Sequence, residues 1–200
     1  MKLHWSPKSP YVRKVLVCAY ELGVFDQLEL HRSVAVMLKP NAELMQDNPL
    51  SKIPTLVLDN GMALMDSVVI CEYLNDMASG HLFPQGADKW PALRWHALGD
   101  GLLDALILWR NERERELPLP ALLDAFERKT RAALALLDAE ADRLGQASFA
   151  IGHVGVGCAL GYLDYRFDAL GWRTLAPGLA QWYASLQQRA SFVSTEPFDG

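Results

Sequence analysis

The stretch KLHWSPKSPYVRKVLVCAYEL, residues 2–22, passes from a short apolar run into a helical pattern through a single turn, and the reading of that turn decides the fold. Lys2 to Trp5 predicts a strand. Ser9 is a strong helix N-cap, and Pro10 fits the first helical position, where its missing N–H costs nothing. Val12, Val15, Leu16, Ala19 and Leu22 then keep helical spacing, with Arg13, Lys14 and Glu21 off that stripe. The pattern predicts a strand-to-helix turn capped by Ser9. A capping serine accepts backbone N–H groups with its oxygen and keeps its hydroxyl proton to donate outward. Beside the positive end of a helix, that donor suits an anion.

Outward from this turn, the first eighty residues mix strand and helix signals. Leu28 to Val34 alternates loosely, Lys39-Pro40-Asn41 breaks the chain, and Ala42 to Gln46 is a short helical stretch. Asn48-Pro49-Leu50-Ser51 is a loop by composition. Pro54 to Leu58 reads as a strand, Asp59-Asn60-Gly61 as a hairpin turn, and Met62 to Met65 as the returning strand. Asp66-Ser67 opens another helix, which ends near Ala78-Ser79-Gly80. Residues 1–79 are therefore expected to form a mixed four-stranded sheet with helices against it. Residues 80–91, rich in Gly, Pro, Gln and Asp, read as a linker, and residues 92–200 as an all-α bundle. Its helices are expected at Ala92 to about Glu116, Ala121 to Leu144, His153 to Leu170 and Pro177 to Arg189, with a tail from Ser191. The small residues Gly155, Gly157, Ala159 and Gly161 mark the third as a central helix that its neighbours approach closely.

Composition narrows the partners. The chain has 200 residues, half of them hydrophobic and 22% charged, so it can bury a core and is not expected to be disordered. Its 19 Lys and Arg are scattered and its formal net charge is −5, which argues against nucleic acid. No apolar run approaches the ~20 residues of a membrane span, and Ser6, Pro7, Lys8 and Ser9 interrupt any signal-peptide core. A cytoplasmic protein without a membrane is expected. Cys18, Cys71 and Cys158 lie far apart, each in a helical segment, and read as buried free thiols; no Cys or His spacing suits a metal, so none is expected.

Ser9 at one helix start, Ile53-Pro54 before a strand and Asp66-Ser67 at another helix start are each commonplace alone. In this order within a compact mixed domain they resemble the glutathione-binding face of the thioredoxin-like fold in glutathione transferases. Ser6 to Val15 is similar to the opening of the bacterial cytosolic members, and Asn48 to Leu56 to their loop before a cis-proline. Cys158 to Arg166 and the tail Ser191 to Pro197 resemble the same bacterial subgroup, its serine type. The resemblance implies a two-domain fold, thioredoxin-like in residues 1–79 and all-α in residues 92–200, with glutathione as co-substrate, a small hydrophobic electrophile as second substrate, and a homodimer acting in detoxification.

The resemblance also assigns roles to residues. Ser67 offers a hydroxyl and helix-end N–H groups to the γ-glutamyl carboxylate, and Asp66 neutralises its ammonium. A cis Ile53-Pro54 bond turns the Ile53 main chain outward to pair with the ligand's cysteinyl backbone. Lys52 or Lys39 reaches the far carboxylate, the bland reading of both being solvated surface lysines. Ser9 then lies where the thiol points and donates to its thiolate; Ser6 and Tyr11 compete for that role. The electrophile is expected between the domains, near Trp5 to Lys8 and near Trp109 and Arg110. A glutathione-dependent disulfide reductase or peroxidase and a non-catalytic binding or regulatory protein are the alternatives, and with no cysteine at position 9 an enzyme mixed disulfide is disfavoured. One departure stands out: where much of the family begins the helix at His153 with a Ser or Thr followed three residues later by Asp, this chain has Ala150 and His153. Another contact has to hold that helix entry, or stability is lower.

Overall fold

Ser9 caps the first helix in the computed structural model, which describes residues 1–199. Its backbone is extended (φ −87°, ψ 118°), its Oγ accepts the Val12 N–H at 3.3 Å, and Pro10 occupies the first helical position of α1 (Pro10–Glu21). The helix stops at Gly23, whose φ of +68° is the left-handed conformation glycine adopts without Cβ strain. There the Val24 N–H reaches the Ala19 carbonyl and the Gly23 N–H the Tyr20 carbonyl, which satisfies two otherwise open carbonyls.

Before α1 lies β1 (Lys2–Trp5); after it come β2 (Glu29–Arg32), α2 (Leu44–Asp47), β3 (Thr55–Val57), β4 (Ala63–Leu64) and α3 (Ser67–Met77). The sheet order is β2-β1-β3-β4. β1 and β2 are parallel, Trp5 opposite Arg32, whereas β3 runs antiparallel to β1, His4 opposite Thr55, and β4 antiparallel to β3. This is the four-stranded mixed sheet with helices that the strand and turn signals predict. Leu3, Leu56, Val15, Ala19, Ile70 and Leu74 form its buried core against α1 and α3.

Arg13 and Lys14, which fall off the apolar stripe of α1, are nevertheless buried, at 5% and 0% exposure. For Arg13 the cause is distant in sequence. The described residues from Ala190 onward belong to the same compact unit as Met1–Phe83 rather than to the helical region in which the sequence reading placed them. Their short helix α10 (Ala190–Val193) contacts α1. Arg13 donates to the Phe192 carbonyl at 3.2 Å and to Thr195 Oγ1 at 3.4 Å, with its guanidinium 5.4 Å over the Phe192 ring. The boundary between the units falls at Phe83–Pro84, inside the expected linker.

The second unit, Pro84–Arg189, is helical: α4 (Lys89–Arg113), α5 (Pro120–Ala139), α6 (Ala141–Gln146), α7 (Ile151–Arg166), α8 (Trp172–Leu175) and α9 (Pro177–Leu186). The helix expected from Ala121 to Leu144 is broken at Glu140. That carboxylate accepts from Arg94 at 2.7 Å and from the Trp95 indole at 2.6 Å, and the Arg94 contact holds it below the usual carboxylate range. Its neighbour Asp138 caps α9 by accepting the Leu179 N–H at 2.8 Å.

α7 is buried from Ile151 to Leu163 and lies against α4 backbone to backbone. A Cβ on Gly99 of α4 would stand 2.5 Å from the Gly155 carbonyl carbon, and one on Gly152 would stand 2.7 Å from the Ala92 oxygen. The close approach expected of this helix is made at Gly152, Gly155 and the facing Gly99. At its start, His153 replaces the missing cap. The Ala150 N–H donates to His153 Nδ1 at 3.1 Å, and His153 Nε2–H donates to the Leu144 carbonyl at 3.0 Å. Both ring nitrogens are thereby used in a neutral imidazole, and burial pushes its pKa below the ordinary value of 6.5. His153 is 4% exposed, an interior cap rather than a surface residue.

Candidate functional site

Strand directions gather the three predicted helix and strand starts at one end of the sheet. Ser9 follows the C-terminal end of β1, and Pro54 precedes β3, whose first residue Thr55 pairs with His4. Leu64 at the end of β4 pairs with Leu56, so the chain enters α3 at that same end. Ser9, Ile53-Pro54 and Asp66-Ser67 therefore sit over one sheet edge, and the segment leaving β2 after Arg32 starts there too, its Ser33 N–H bonded to the Trp5 carbonyl.

Each start has its own local cause. In the first turn, Ser6 Oγ accepts the Lys8 N–H at 3.4 Å and the Ser6 carbonyl accepts the Ser9 N–H at 3.2 Å, which fixes the approach to the cap. Ser9 is half-buried; its oxygen serves the helix, and no described residue takes its proton. Ser6, by contrast, faces its own turn. In the third start, Asp66 is the cap of α3: its Oδ1 accepts the Val68 N–H at 3.0 Å, leaving the second carboxylate oxygen exposed. Ser67 is the first helical residue, buried at 3%, with its hydroxyl unpaired among the described residues.

The Ile53–Pro54 peptide bond is cis, as is Met65–Asp66. The loop that carries Ile53 is built by Asn48, a residue the sequence reading passed over as loop composition. Its side chain is buried and donates to the Lys52 carbonyl at 3.1 Å and to Thr55 Oγ1 at 2.9 Å, while its Oδ1 accepts the Leu50 N–H at 3.0 Å. Thr55 Oγ1 donates to the same Lys52 carbonyl, so one buried amide and one hydroxyl define the whole bend. Ser51 stands in the left-handed region (φ 52°) and its Oγ accepts the Asn41 N–H at 2.8 Å. Asn41 in turn caps α2 through Oδ1 and donates to the Val34 carbonyl, tying the segment of Lys39 to the loop of Lys52. Both main-chain groups of Ile53 stay unpaired among the described residues. Lys39 and Lys52 are exposed, one on each side of that Asn41–Ser51 link.

Beneath the edge runs a buried polar chain that the scattered histidines did not announce. His4, 1% exposed, meets Ser33 Oγ with Nδ1 at 2.7 Å and Asp47 Oδ2 with Nε2 at 2.8 Å, and Lys2 Nζ reaches the same oxygen at 2.7 Å. The Lys2 and His4 hydrogen bonds hold the Asp47 carboxyl below its usual range. This chain fastens β1 to the end of β2 and to α2. It fixes the sheet from within, with His4 and Ser33 buried and Lys2 and Asp47 partly exposed.

Chemically the edge offers a hydroxyl donor at one helix N-terminus, two unpaired main-chain groups beside a cis-proline, a second helix N-terminus with an exposed carboxylate oxygen, and two exposed lysines. That set suits an extended peptide with carboxylates at its ends and an anion in the middle. Cys18, Cys71 and Cys158 are buried thiols, none of them in a disulfide among the described residues. Among the described residues no helix is long and apolar enough to cross a membrane, and no group of His, Cys, Asp and Glu is placed to hold a metal ion.

Comparison with known proteins shows the family. Residues 8–77 match the family model of the glutathione S-transferase N-terminal domain, and residues 120–185 that of the C-terminal domain. The chain is 31% identical to an uncharacterized GST-like protein, YibF, of Escherichia coli K12, over 98% of both chains. A glutathione transferase family member from Pseudomonas fluorescens Pf-5 with bound glutathione is 43% identical, with a TM-score of 0.95 over 99% of each chain. Another structure of a family member from that organism, with bound S-(propanoic acid)-glutathione, is 40% identical over the full length of both chains, with a TM-score of 0.90.

Proposed function

The chain belongs to the glutathione S-transferase family, and from that premise we propose that it is a glutathione transferase that binds glutathione along the sheet edge, with Ser9 donating a hydrogen bond to the thiolate. The observation that carries this reading is the divided use of Ser9: its oxygen holds the Val12 N–H while its proton has no partner among the described residues. Ser67 and the α3 N-terminus take the γ-glutamyl carboxylate, the open oxygen of Asp66 takes the ammonium, the Ile53 main chain pairs with the cysteinyl residue beside Pro54, and Lys39 or Lys52 meets the glycyl carboxylate.

The magnitudes are adequate. Lowering a thiol pKa from about 8.5 to about 6.5 needs roughly 2.7 kcal/mol of preference for the thiolate. A hydrogen bond to a charged group contributes about 1.5–3 kcal/mol and a helix N-terminus about 0.3–1 kcal/mol. The thiol proton passes to water. The thiolate then attacks an electrophilic carbon of a small hydrophobic substrate; the S–C bond forms as the carbon–leaving-group bond breaks, and the leaving group departs with the electron pair. A similar structure with an S-substituted glutathione bound supports conjugation. Thiol exchange through a protein cysteine is disfavoured, because position 9 is serine and the three cysteines are buried. By family resemblance the active form is a cytoplasmic homodimer acting in detoxification, which sedimentation and fractionation check.

Calorimetric titration with glutathione, followed by spectroscopic titration of the bound thiolate in the native protein and in Ser9→Ala, tests the proposal. Millimolar or tighter binding is expected, with the thiolate pKa raised in the variant and affinity nearly unchanged. No binding at those concentrations would refute the glutathione reading. An unchanged thiolate titration would remove Ser9 from the mechanism.

A further inference from the structure

The helical unit has a buried donor of its own. Tyr162 of α7 is 2% exposed, and its hydroxyl makes no hydrogen bond with any described residue. Burial pushes its pKa above the ordinary 10, so the group keeps its proton and remains a donor. Its charged neighbours are Arg110 of α4 and Arg166, one turn further along α7, with the Glu114 carboxylate opposing them. Arginines only donate, so neither can take the phenolic proton.

Arg110 is in a similar position. Its Nη2 donates to Asn111 Oδ1 at 2.7 Å, but its buried Nε–H makes no hydrogen bond with a described residue, the Glu114 carboxylate standing off at 3.6 Å. Arg166 lies with its guanidinium 3.8 Å over the Tyr165 ring and donates to the Tyr165 hydroxyl at 2.8 Å. Arginines near helix C-termini answer the helix dipole and need no ligand. The buried phenol has no such reason, and a buried hydroxyl costs stability until something accepts from it.

The donors define what would accept. An O–H from one helix and an N–H from another suit the two oxygens of a carboxylate. Arg110 and Arg166 bring two positive charges and Glu114, 66% exposed, cancels one, so a single negative charge balances the set. The surroundings are aromatic: the Phe167 ring is 6.5 Å from that of Tyr162 and 4.8 Å from that of Trp109. We infer that Tyr162 and Arg110 form a binding site for the carboxylate of a small organic acid, with Arg166 completing the charge balance. All of these residues belong to Pro84–Arg189. The ligand is charged, unlike the small hydrophobic electrophile that the family resemblance implies.

Propanoate is the probe and propanamide its uncharged counterpart, both titrated by calorimetry into the full-length protein at constant ionic strength. Propanoate is expected to bind and to raise the melting temperature, and propanamide to do neither. Tyr162→Phe deletes the donor and is expected to weaken propanoate binding about 10- to 100-fold, the loss typical of a hydrogen bond to a charged group; Arg110→Gln weakens it at least as much. Without ligand, Tyr162→Phe melts no lower than the native protein, because the deleted hydroxyl had no partner to lose. A midpoint several degrees lower would show that the hydroxyl is already satisfied within the fold and overturns the site. So does an absence of propanoate binding, or binding unchanged by both substitutions. Turnover separates two sources of the acid, both of which uphold the site. A KM for iodoacetate raised tenfold in Tyr162→Phe, with that for iodoacetamide within twofold, puts the carboxylate on the electrophile. KM values that stay together while propanoate binding is lost put it on a separate acid. Absence of glutathione turnover would strike the proposed function instead, and the propanoate titration, which needs no glutathione, still decides the site.

Discussion

Helices α1 and α7 begin by solving the same problem with opposite leftovers. Each has N–H groups at its start with no partner inside the helix. At α1 a half-buried serine accepts one of them and keeps a proton for something outside. At α7 a buried histidine answers from the third position, accepting the Ala150 N–H on one nitrogen and donating to Leu144 with the other. One start has donor capacity in reserve, and the other has used all of it. At α1 the spare donor is the one proposed for the glutathione thiolate, whereas at α7 both ring nitrogens are spent inside the helical unit.

The largest expected effect comes from attacking the α7 side of this contrast. Gly99→Ala puts a Cβ 2.5 Å from the Gly155 carbonyl carbon and 2.7 Å from the Val156 nitrogen, which are backbone atoms and cannot rotate away. The helices must separate, at a cost of about 3 kcal/mol, the upper end for overpacking. A fall in melting temperature of roughly 10 °C is expected for a chain of this size, read by calorimetry. An unchanged midpoint would mean that α4 and α7 do not approach through this pair.

Ser9→Ala comes next and separates the two halves of the contrast at one residue. Loss of the donor to a thiolate is expected to cut turnover by about 10- to 100-fold, the equivalent of 1.5–3 kcal/mol. Loss of the cap costs about 1 kcal/mol of stability. The two readouts are independent: Ser9→Gly restores part of the stability, because glycine is a tolerable cap, and none of the turnover. Equal rescue of both would show that the hydroxyl acts only through the fold.

How much of this was legible depends on how far each partner lies along the chain. Ser9 with Pro10 and Asp66 with Ser67 announce helix starts because a cap bonds to residues two or three positions away. The order strand, helix, strand, helix, strand, strand, helix follows from equally local signals. Arg13 and Lys14 read as the wet side of α1 because no local pattern predicts that Phe192 and Thr195 return to cover Arg13. Asn48 looks like ordinary loop composition until burial sets its amide, together with the Thr55 hydroxyl, to close the bend at Lys52 and Thr55. An Asn-Pro ahead of a second Pro five residues on was the available sign. Glu140 lies inside an unbroken helical pattern, and only Arg94 and Trp95, more than forty residues earlier, explain why the helix stops there.

A smaller effect on the α7 side comes from pH. The pKa of His153 is lowered by burial, so the unfolded chain takes up a proton before the folded chain does. Stability from this residue is therefore present above the ordinary pKa of 6.5 and is lost as pH falls below it toward the folded-state value. The lowered carboxyls of Asp47 and Glu140 act further down, below their ordinary range near 4. His153→Gln is expected to be less stable at pH 7.5 and to show a flatter melting temperature between pH 7.5 and 5. Parallel curves for the two proteins would show that the ring is protonated in place.

The smallest effect is a gain. His153 supplies only the half of a capping box that reaches back to the Ala150 N–H; Ala150 has no side-chain acceptor to give the other half. Ala150 has extended backbone (φ −151°, ψ 178°), as a capping residue should, so Ala150→Ser can place an oxygen toward the first-turn N–H groups without changing the backbone. The gain should be about 0.5–1 kcal/mol, or a few degrees in melting temperature. Replacing His153 by Asp at the same time should remove that gain, because the carboxylate cannot donate to the Leu144 carbonyl and would sit buried and charged. If the double variant melts higher than Ala150→Ser alone, the Leu144 contact contributes nothing, and the α7 start resembles the α1 start more closely than the contrast allows.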